Sequence, residues 1–246
     1  MKSPTLEGMI ERRLLLNYRV DPEIAANLLP APFRPQLQNG FAVAGICLLR
    51  LGAIRPAGFP RVLGQRSENV AHRIAVEWDQ GGEILRGVFI NRRDSDSWLN
   101  VALGGRFFPG VHHKAAFSVV EQANELAVTV LSDDQLCRVE VSARVSERLD
   151  RSELFADLAD GSRFFEHGVL GFSPTASGAV EAMELSTLAW KVEPLIVDRV
   201  ASNFFDDDRR FPRGSVQFDS GLVMRHVPVR WLGVSRSRLG ELNLCA

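Results

Sequence analysis

The chain has 246 residues, of which 46% are hydrophobic and 24% charged, and its formal net charge is −1 from 29 basic and 30 acidic residues. This composition is typical of a globular protein that buries a sizeable core, and it excludes disorder for most of the chain. No basic stripe is interleaved with aromatic residues, and the apolar runs are shorter than the roughly 20 residues that cross a bilayer. We therefore expect neither nucleic acid nor a membrane as a partner.

The period of the apolar residues is mostly two, which predicts strands. In chain order, the predicted strands are 14–19, 41–50, 69–78, 84–91, 111–120, 125–131, 136–145, 183–192, 195–202 and 216–229. The segment at 41–50 is apolar almost throughout, which predicts burial on both faces. About ten short strands with short connections are typical of a mainly antiparallel sandwich or closed barrel.

Few helices are predicted. Asp21 can cap a helix over 23–29, with Pro22 in its first turn and Pro30 after its end, and we expect Ile24 and Leu28 to pack it on the sheet, with Ala25 less central. The other helices are predicted at 97–104 and within 151–167.

The chain shows no internal repeat and no low-complexity tract. The stretch at 168–178 is rich in Gly, Ser and Pro, which predicts a loop or linker. The residues after it resemble further strands rather than a second domain. We therefore predict one domain over 1–246.

The three cysteines are Cys47, Cys137 and Cys245. An odd, sparse set without zinc-binding spacing fits a reducing compartment, and the N-terminal segment lacks the apolar core of a signal peptide. Cys47 and Cys137 lie in apolar, strand-like runs, which favours buried, inert thiols. We expect a cytoplasmic protein.

Three stretches, in the same order along the chain, resemble acetoacetate decarboxylase. The first, at 18–33, is YRVDPEIAANLLPAPF, which resembles that family's strand ending in Tyr-Arg-x-Asp, its helix and its Pro-x-Pro. The second, at 63–69, is LGQRSEN, which resembles Leu-Gly-x-x-x-Glu. The third, at 104–117, is GGRFFPGVHHKAAF, which resembles the segment carrying the catalytic lysine pair. The whole chain is similar to an uncharacterised bacterial family of distant decarboxylase relatives.

The resemblance implies a mainly β fold, in which a closed antiparallel sheet with a few peripheral helices surrounds an internal cavity. It implies a small organic acid or other small molecule as the partner, and no cofactor. It leaves a homo-oligomer open.

Carried over position by position, the resemblance places Glu68 on the family's active-site Glu and Arg106 on the Arg of the third motif. His113 takes the position of the Schiff-base lysine, and Lys114 takes that of its neighbouring lysine. The family's substrate-side Arg falls on Glu11, or on Arg12 with a shift of one.

The exchange at His113 changes the expected chemistry. A Schiff-base lysine must be neutral, and a second cation or desolvation lowers its pKa. Histidine is mostly neutral near pH 7, so His113 is a weak substitute for that cation. Strand alternation also turns Lys114 away from the face of His113. Lys114 is therefore either the imine-forming amine or an ordinary lysine with its ammonium in water, and we predict inefficient decarboxylation of acetoacetate.

The same alternation places His72 on the face of Glu68. With His113 these side chains could form an acid–base set or bind a metal, although the spacing is not a metal signature and no metal site is predicted. The alternative is that His72 is hydrogen-bonded inside the barrel. His112, on the opposite face to His113, is predicted to be structural.

Charged residues at 92–96 predict a solvated loop.

Two functions follow from this sequence. The first is an enzyme acting on a small keto acid or related carboxylate, with Lys114 or His113 as the catalytic group and Glu68 as its partner. Arg106 and His72 would bind the substrate. The second is a ligand-binding or sensing module that kept the cavity without the covalent chemistry.

Overall fold

The computed structural model describes residues 5–102, 110–187 and 189–234. The strands are β1 Leu6–Val20, β2 Arg34–Pro35, β3 Leu37–Gln38, β4 Phe41–Pro56, β5 Gln65–Gln80, β6 Glu83–Ser95, β7 His112–Gln122, β8 Glu125–Ser132, β9 Arg138–Val145, β10 Leu170–Pro174, β11 Val180–Ser186, β12 Glu193–Ser202 and β13 Val216–Gly233. The helices are α1 Pro22–Ala26, α2 Trp98–Ala102 and α3 Leu158–His167. The prediction of a mainly β fold with few helices is confirmed. None of the described helices is long and apolar enough to cross a membrane.

The strands close into two hydrogen-bonded rings. The larger ring runs through β1, β4, β5, β6, β7, β8, β9, β12 and β13. The smaller ring runs through β1, β4, β5, β6, β10, β11 and β13. The pairs β6–β7 and β6–β10 are parallel and the others antiparallel, so the sheet is mixed rather than wholly antiparallel. The two rings share β1, β4, β5, β6 and β13.

The shared strands separate two hydrophobic cores. On β4, Ile46 and Leu48 point into the core of the larger ring, whereas Val43 and Cys47 point into the core of the smaller ring. A strand that is covered on both faces has no solvent-facing positions, so its sequence is apolar almost throughout. The prediction of two buried faces at 41–50 is confirmed. Close packing also explains Gly45, where a Cβ would lie 2.4 Å from the Leu16 carbonyl oxygen.

Strands that belong to the larger ring alone show the opposite pattern. Along β8, Leu126, Val128 and Val130 are buried, and the residues between them are exposed. This alternation is the period of two expected for a sheet with one face in water.

Helix α1 begins as predicted. The Asp21 side chain accepts a hydrogen bond from the Glu23 backbone N–H at 2.9 Å, which satisfies one of the free donors of the first turn. Ala25 is the fully buried member of this helix, whereas Ile24 and Leu28 are only partly buried against the larger core. The expected order of burial was wrong because the helix ends at Ala26, one turn before the sequence pattern suggests.

Two loop predictions are corrected by the structure. The stretch at 168–178 contains β10, which pairs with β6 and β11 and helps to close the smaller ring. The charged residues at 92–95 belong to β6, where Asp94 and Ser95 are completely buried. Both segments were predicted as loops because of their polar residues or their Gly, Ser and Pro, whereas pairing with distant strands determines their conformation.

Candidate functional site

A small, partly enclosed cavity lies beside the end of β6. Its volume is about 70 Å³, and we call it the inner cavity. It is lined by Leu49, Leu51, Asn69, Val70, Ala71, Arg93, Asp94, His112 and Trp231. Apolar walls with a few convergent polar groups are typical of a small-molecule site.

Arg93 is the cationic group of this cavity, whereas the Asp94 carboxylate that also lines it is paired with Arg92. Its Nε donates a hydrogen bond to Ser173 Oγ at 3.0 Å, and among the described residues no carboxylate lies within ion-pair distance of it. Burial lowers the pKa of Arg93 to about 10, so the guanidinium remains charged at neutral pH. Arg93 is only partly buried, but a partly desolvated cation without a counter-ion still attracts an anion.

His112 contributes a polar group to the same cavity. It is almost fully buried, and its Nδ1 lies 3.3 Å from the Gly110 carbonyl oxygen. Burial and, secondarily, the charge of Arg93 lower the pKa of His112 to about 3. The imidazole is therefore neutral in the working range of pH.

An outer pocket of about 260 Å³ shares Arg93 with the inner cavity. It is lined by Ile90, Asn91, Arg92, Arg93, Val111, His113, Ser173, Pro174 and Thr175. His113, the residue at the Schiff-base position of the resemblance, lies here with 38% of its side chain exposed. His112 and His113 thus line different spaces, as the alternation of a strand requires.

A chain of ion pairs leads inward from His113. Its Nδ1 lies 3.4 Å from an Asp134 oxygen, and Asp134 accepts hydrogen bonds from Arg92 Nη2 at 2.8 Å. Burial opposes ionisation of Asp134, but hydrogen bonds from Ser132 and Arg92 outweigh it and hold its pKa well below the usual range. Arg92 also donates to both oxygens of the fully buried Asp94 at 2.7–3.1 Å.

Two further buried groups lie against Asp94. A ring nitrogen of His72, a carboxylate oxygen of Asp94 and the Cys137 Sγ lie within 4.8 Å of one another. The His72 Nε2 lies 3.3 Å from Ser202 Oγ, whereas its Nδ1 is buried without a partner, and the ring stacks on Phe204. Burial lowers the pKa of His72 to about 3. Burial, followed by the charge of Asp94, raises the pKa of the Cys137 thiol well above its usual range.

Glu68 belongs to a separate ionic cluster. One of its oxygens accepts a hydrogen bond from Arg12 Nη2 at 2.7 Å, and the other accepts one from Arg50 Nε at 2.5 Å. Glu121 pairs with the same two arginines, at 3.3 Å from Arg12 Nη1 and 2.9 Å from Arg50 Nη1. Arg12 is only 1% exposed. Of the two positions on which the substrate-side Arg could fall, Arg12 is therefore the one that contacts Glu68.

Lys114 lies close to Glu68 through Asp96. Its ammonium donates a hydrogen bond to the backbone carbonyl of Asp96, and the Asp96 side chain accepts one from the Glu68 backbone N–H at 2.9 Å. Neither Lys114 nor Glu68 lines the inner cavity or the outer pocket. Arg106 lies outside the described residues.

A larger surface depression is an open groove of about 770 Å³. It is formed mainly by residues 147–158 and contains none of the predicted site residues. The groove is more open to solvent than the inner cavity, so the inner cavity is the better candidate for specific binding.

Comparison with protein families gives a match over most of the chain. The family profile of DUF2071, described as an uncharacterized conserved protein, matches residues 9–200. The chain belongs to the DUF2071 family. No curated protein matches it significantly.

Solved structures share the fold of this DUF2071 protein. The acetoacetate decarboxylase of Legionella pneumophila is 12% identical with a TM-score of 0.59, over 94% of this chain and 87% of the other. The enduracididine biosynthesis enzyme MppR, complexed with the condensation product of pyruvate and imidazole 4-carboxaldehyde, is 15% identical with a TM-score of 0.60, over 94% and 88%. An acetoacetate decarboxylase-like enzyme from Sphingomonas wittichii RW1 is 12% identical with a TM-score of 0.59, over 96% and 94%. The resemblance to acetoacetate decarboxylase is confirmed, and at these identities it shows the fold alone.

The sequence-predicted residues of this DUF2071 protein thus fall into three places. Lys114 and Glu68 are linked through Asp96, His113 lines the outer pocket, and His72 is buried in the larger ring. Sequence reasoning missed Arg93, because charges near the end of a strand resemble a loop. Strand alternation could have found it. If the apolar strand continues through 92–95, Arg92 and Asp94 lie on one face of the sheet, and Arg93 and Ser95 lie on the other.

Proposed function

We propose that this DUF2071 protein binds a small keto acid or related carboxylate in the inner cavity. The observation that carries the proposal is the Arg93 guanidinium, which faces this cavity without a carboxylate counter-ion among the described residues. A planar guanidinium can donate two parallel hydrogen bonds to a carboxylate. The structural neighbour MppR is complexed with pyruvate in one of its structures, which supports a ligand of this class.

The size of the inner cavity supports a ligand of three or four carbons. A water molecule needs roughly 10–15 Å³ of cavity by this measure, so 70 Å³ corresponds to about five waters. The apolar side chains of Leu49, Leu51 and Trp231 would contact the carbon chain, while Arg93 holds the carboxylate.

The catalytic form of the proposal uses acid–base chemistry rather than a lysine imine. Lys114 and Lys191 are the only lysines among the described residues; Lys191 is exposed, and the ammonium of Lys114 is bonded to the backbone of Asp96. Neither amine lines the cavity. The acid–base role falls to His113, which lines the outer pocket; Arg93 borders both spaces, so the reacting end of the ligand would extend past Arg93 towards His113. Glu68 lies outside both spaces, and its contribution would be indirect, through Asp96, which contacts both Glu68 and Lys114.

A binding module without catalysis is the second candidate. The contacts of Lys114 and Glu68 favour it. In the resemblance these positions correspond to catalytic residues, but here the Lys114 ammonium is bonded to the backbone of Asp96, and Glu68 is held by Arg12 and Arg50. Both candidates use the same cavity, and only turnover separates them.

Isothermal titration with pyruvate, 2-oxobutyrate and acetoacetate tests the binding. Arg93→Gln should weaken the binding roughly 10- to 150-fold, since a hydrogen bond to a charged group contributes about 1.5–3 kcal/mol. The control is Arg86→Gln on the same strand, because Arg86 is mostly exposed and lines neither cavity. Its affinity should be unchanged. If none of the three acids binds, or if Arg93→Gln binds as tightly as the wild type, the proposal is wrong.

Following the same samples by NMR over hours separates enzyme from binder. Conversion of a bound acid that is lost in His113→Asn favours the catalytic form. Binding without conversion favours the module.

A further inference from the structure

The buried cluster of His72, Asp94 and Cys137 has the composition of a metal site. Its three donor atoms come from β5, from β6 and from the residue before β9, and they lie within 4.8 Å of one another. All three side chains are inaccessible to solvent. Residues this far apart in sequence meet only because the larger ring is closed.

The donor set selects the class of ion. Imidazole, carboxylate and thiolate together suit a borderline-soft divalent ion such as Zn²⁺, whereas Ca²⁺ and Mg²⁺ prefer oxygen ligands alone. A tetrahedral Zn²⁺ ion at its usual distances from nitrogen, oxygen and sulfur ligands holds those ligands roughly 3.3–3.6 Å apart. Shifts of about an ångström would therefore bring the three donor atoms to that spacing.

The surrounding contacts resemble the outer shell of a metal site. Arg92 holds the carboxylate of Asp94 through two nitrogens, and carboxylate oxygens have lone pairs to spare beyond those contacts. The hydroxyl of Ser202 lies 3.3 Å from Nε2 of His72, while Nδ1 of the same ring is buried without a partner. Hydrogen bonds of this kind orient ligands in known sites.

We propose that His72, Asp94 and Cys137 bind one divalent transition-metal ion, with Zn²⁺ as the best-suited ion, and leave one coordination position open. This inference does not rest on the carboxylate ligand, although Asp94 also lines the inner cavity; the cobalt titration is made without any acid, so its failure is distinct from a failure of acid binding. The alternative is a metal-free cluster in which the Cys137 thiol simply donates to Asp94.

Cobalt titration of the full-length, untagged protein tests the proposal. After treatment with a chelator, the protein is titrated with Co²⁺, and the thiolate-to-cobalt charge-transfer band is followed in the near ultraviolet. Zn²⁺ should then displace the Co²⁺ with a stoichiometry of one per chain. Cys137→Ser should abolish the band. His72→Gln should weaken metal binding at least ~100-fold, which is the upper range for mutating residues that only contact a metal ligand.

The other cysteines provide matched controls. Cys47→Ser changes the other buried thiol, which lies outside the cluster, and Cys245→Ser changes a residue beyond the described part of the chain. Both should keep the band. Absence of stoichiometric binding by the folded wild type, or an undiminished band in folded Cys137→Ser, overturns the proposal.

A second measurement decides the question if Cys137→Ser does not fold. Wild-type protein is alkylated in moderate urea with and without Zn²⁺, and the labelled cysteines are identified by mass spectrometry. Zn²⁺ should slow labelling of Cys137 at least tenfold relative to Cys47. Equal rates with and without the metal would overturn the proposal.

Discussion

Replacing Glu68 by Gln should destabilise the protein through Arg12. The amide keeps the size of the side chain but removes the negative charge that faces Arg12 at 2.7 Å and Arg50 at 2.5 Å. Arg12 is 1% exposed, so it cannot turn to water, and among the described residues the carboxylate left to it would be that of Glu121 at 3.3 Å. Breaking a fully buried pair costs about 3–5 kcal/mol.

The expected cost at Glu68 is somewhat smaller than for a fully buried pair. Glu68 is 14% exposed and Arg50 is 20% exposed, so solvent screens part of their attraction. We expect the free energy of unfolding to fall by about 2–4 kcal/mol. For a chain of this length, that corresponds to a melting temperature lower by about 5–15 °C.

Urea unfolding followed by tryptophan fluorescence measures this change. The matched control is Asp198→Asn, which removes a carboxylate from a pair with Arg144 in which both side chains are about half exposed. The control should lose less than about 0.5 kcal/mol. The double variant of Arg12→Met with Glu68→Gln should lose at least ~1 kcal/mol less than the sum of the single variants. A loss below about 0.5 kcal/mol in Glu68→Gln would refute the view that Arg12 depends on it.

Other predictions concern pH, catalysis and packing. Burial lowers the pKa of His112 to about 3 in the folded protein. As the pH falls below about 6.5, His112 is therefore protonated in the unfolded state but not in the folded state, and this destabilises the fold. The wild type should therefore lose ~2 kcal/mol more stability between pH 7 and pH 5 than His112→Gln, as measured by urea unfolding, and equal losses would contradict this. Purified protein should release little carbon dioxide from acetoacetate, and borohydride should add no mass at Lys114; robust turnover that Lys114→Ala abolishes would contradict this. Gly45→Ala should cost at least ~2 kcal/mol in chemical denaturation, because its Cβ would meet the Leu16 carbonyl at 2.4 Å, and a near-neutral effect would mean that the strands can separate.

The sequence alone was sufficient for the strand content and for the two-faced burial at 41–50, because both depend on local periodicity. It was also sufficient for the Asp21 cap, where one side chain and the next backbone N–H are close along the chain. The family resemblance supplied the closed topology, which periodicity cannot distinguish from a sandwich.

The candidate site was harder to predict because its contacts are between distant strands. Arg93 is partly covered by β10, whose Ser173 it contacts, and β10 lies in a stretch whose Gly, Ser and Pro predicted a loop. Cys137 and His72 are 65 residues apart, and no spacing rule connects them. Charged residues inside a sheet look like a solvated loop until the pairing of the strands is known.

The five strands shared by the two rings have a consequence for how the molecule opens. Neither ring can separate without exposing the core of the other, so the amide hydrogens of β1, β4 and β5 should exchange with solvent only when the whole chain unfolds. Strands β8 and β9 have one face exposed to solvent and can open locally, so their amide hydrogens should exchange faster than those of β1, β4 and β5. Hydrogen-exchange mass spectrometry should therefore find slow amide exchange in β1, β4 and β5 and faster exchange in β8 and β9, although all of these strands belong to one continuous sheet.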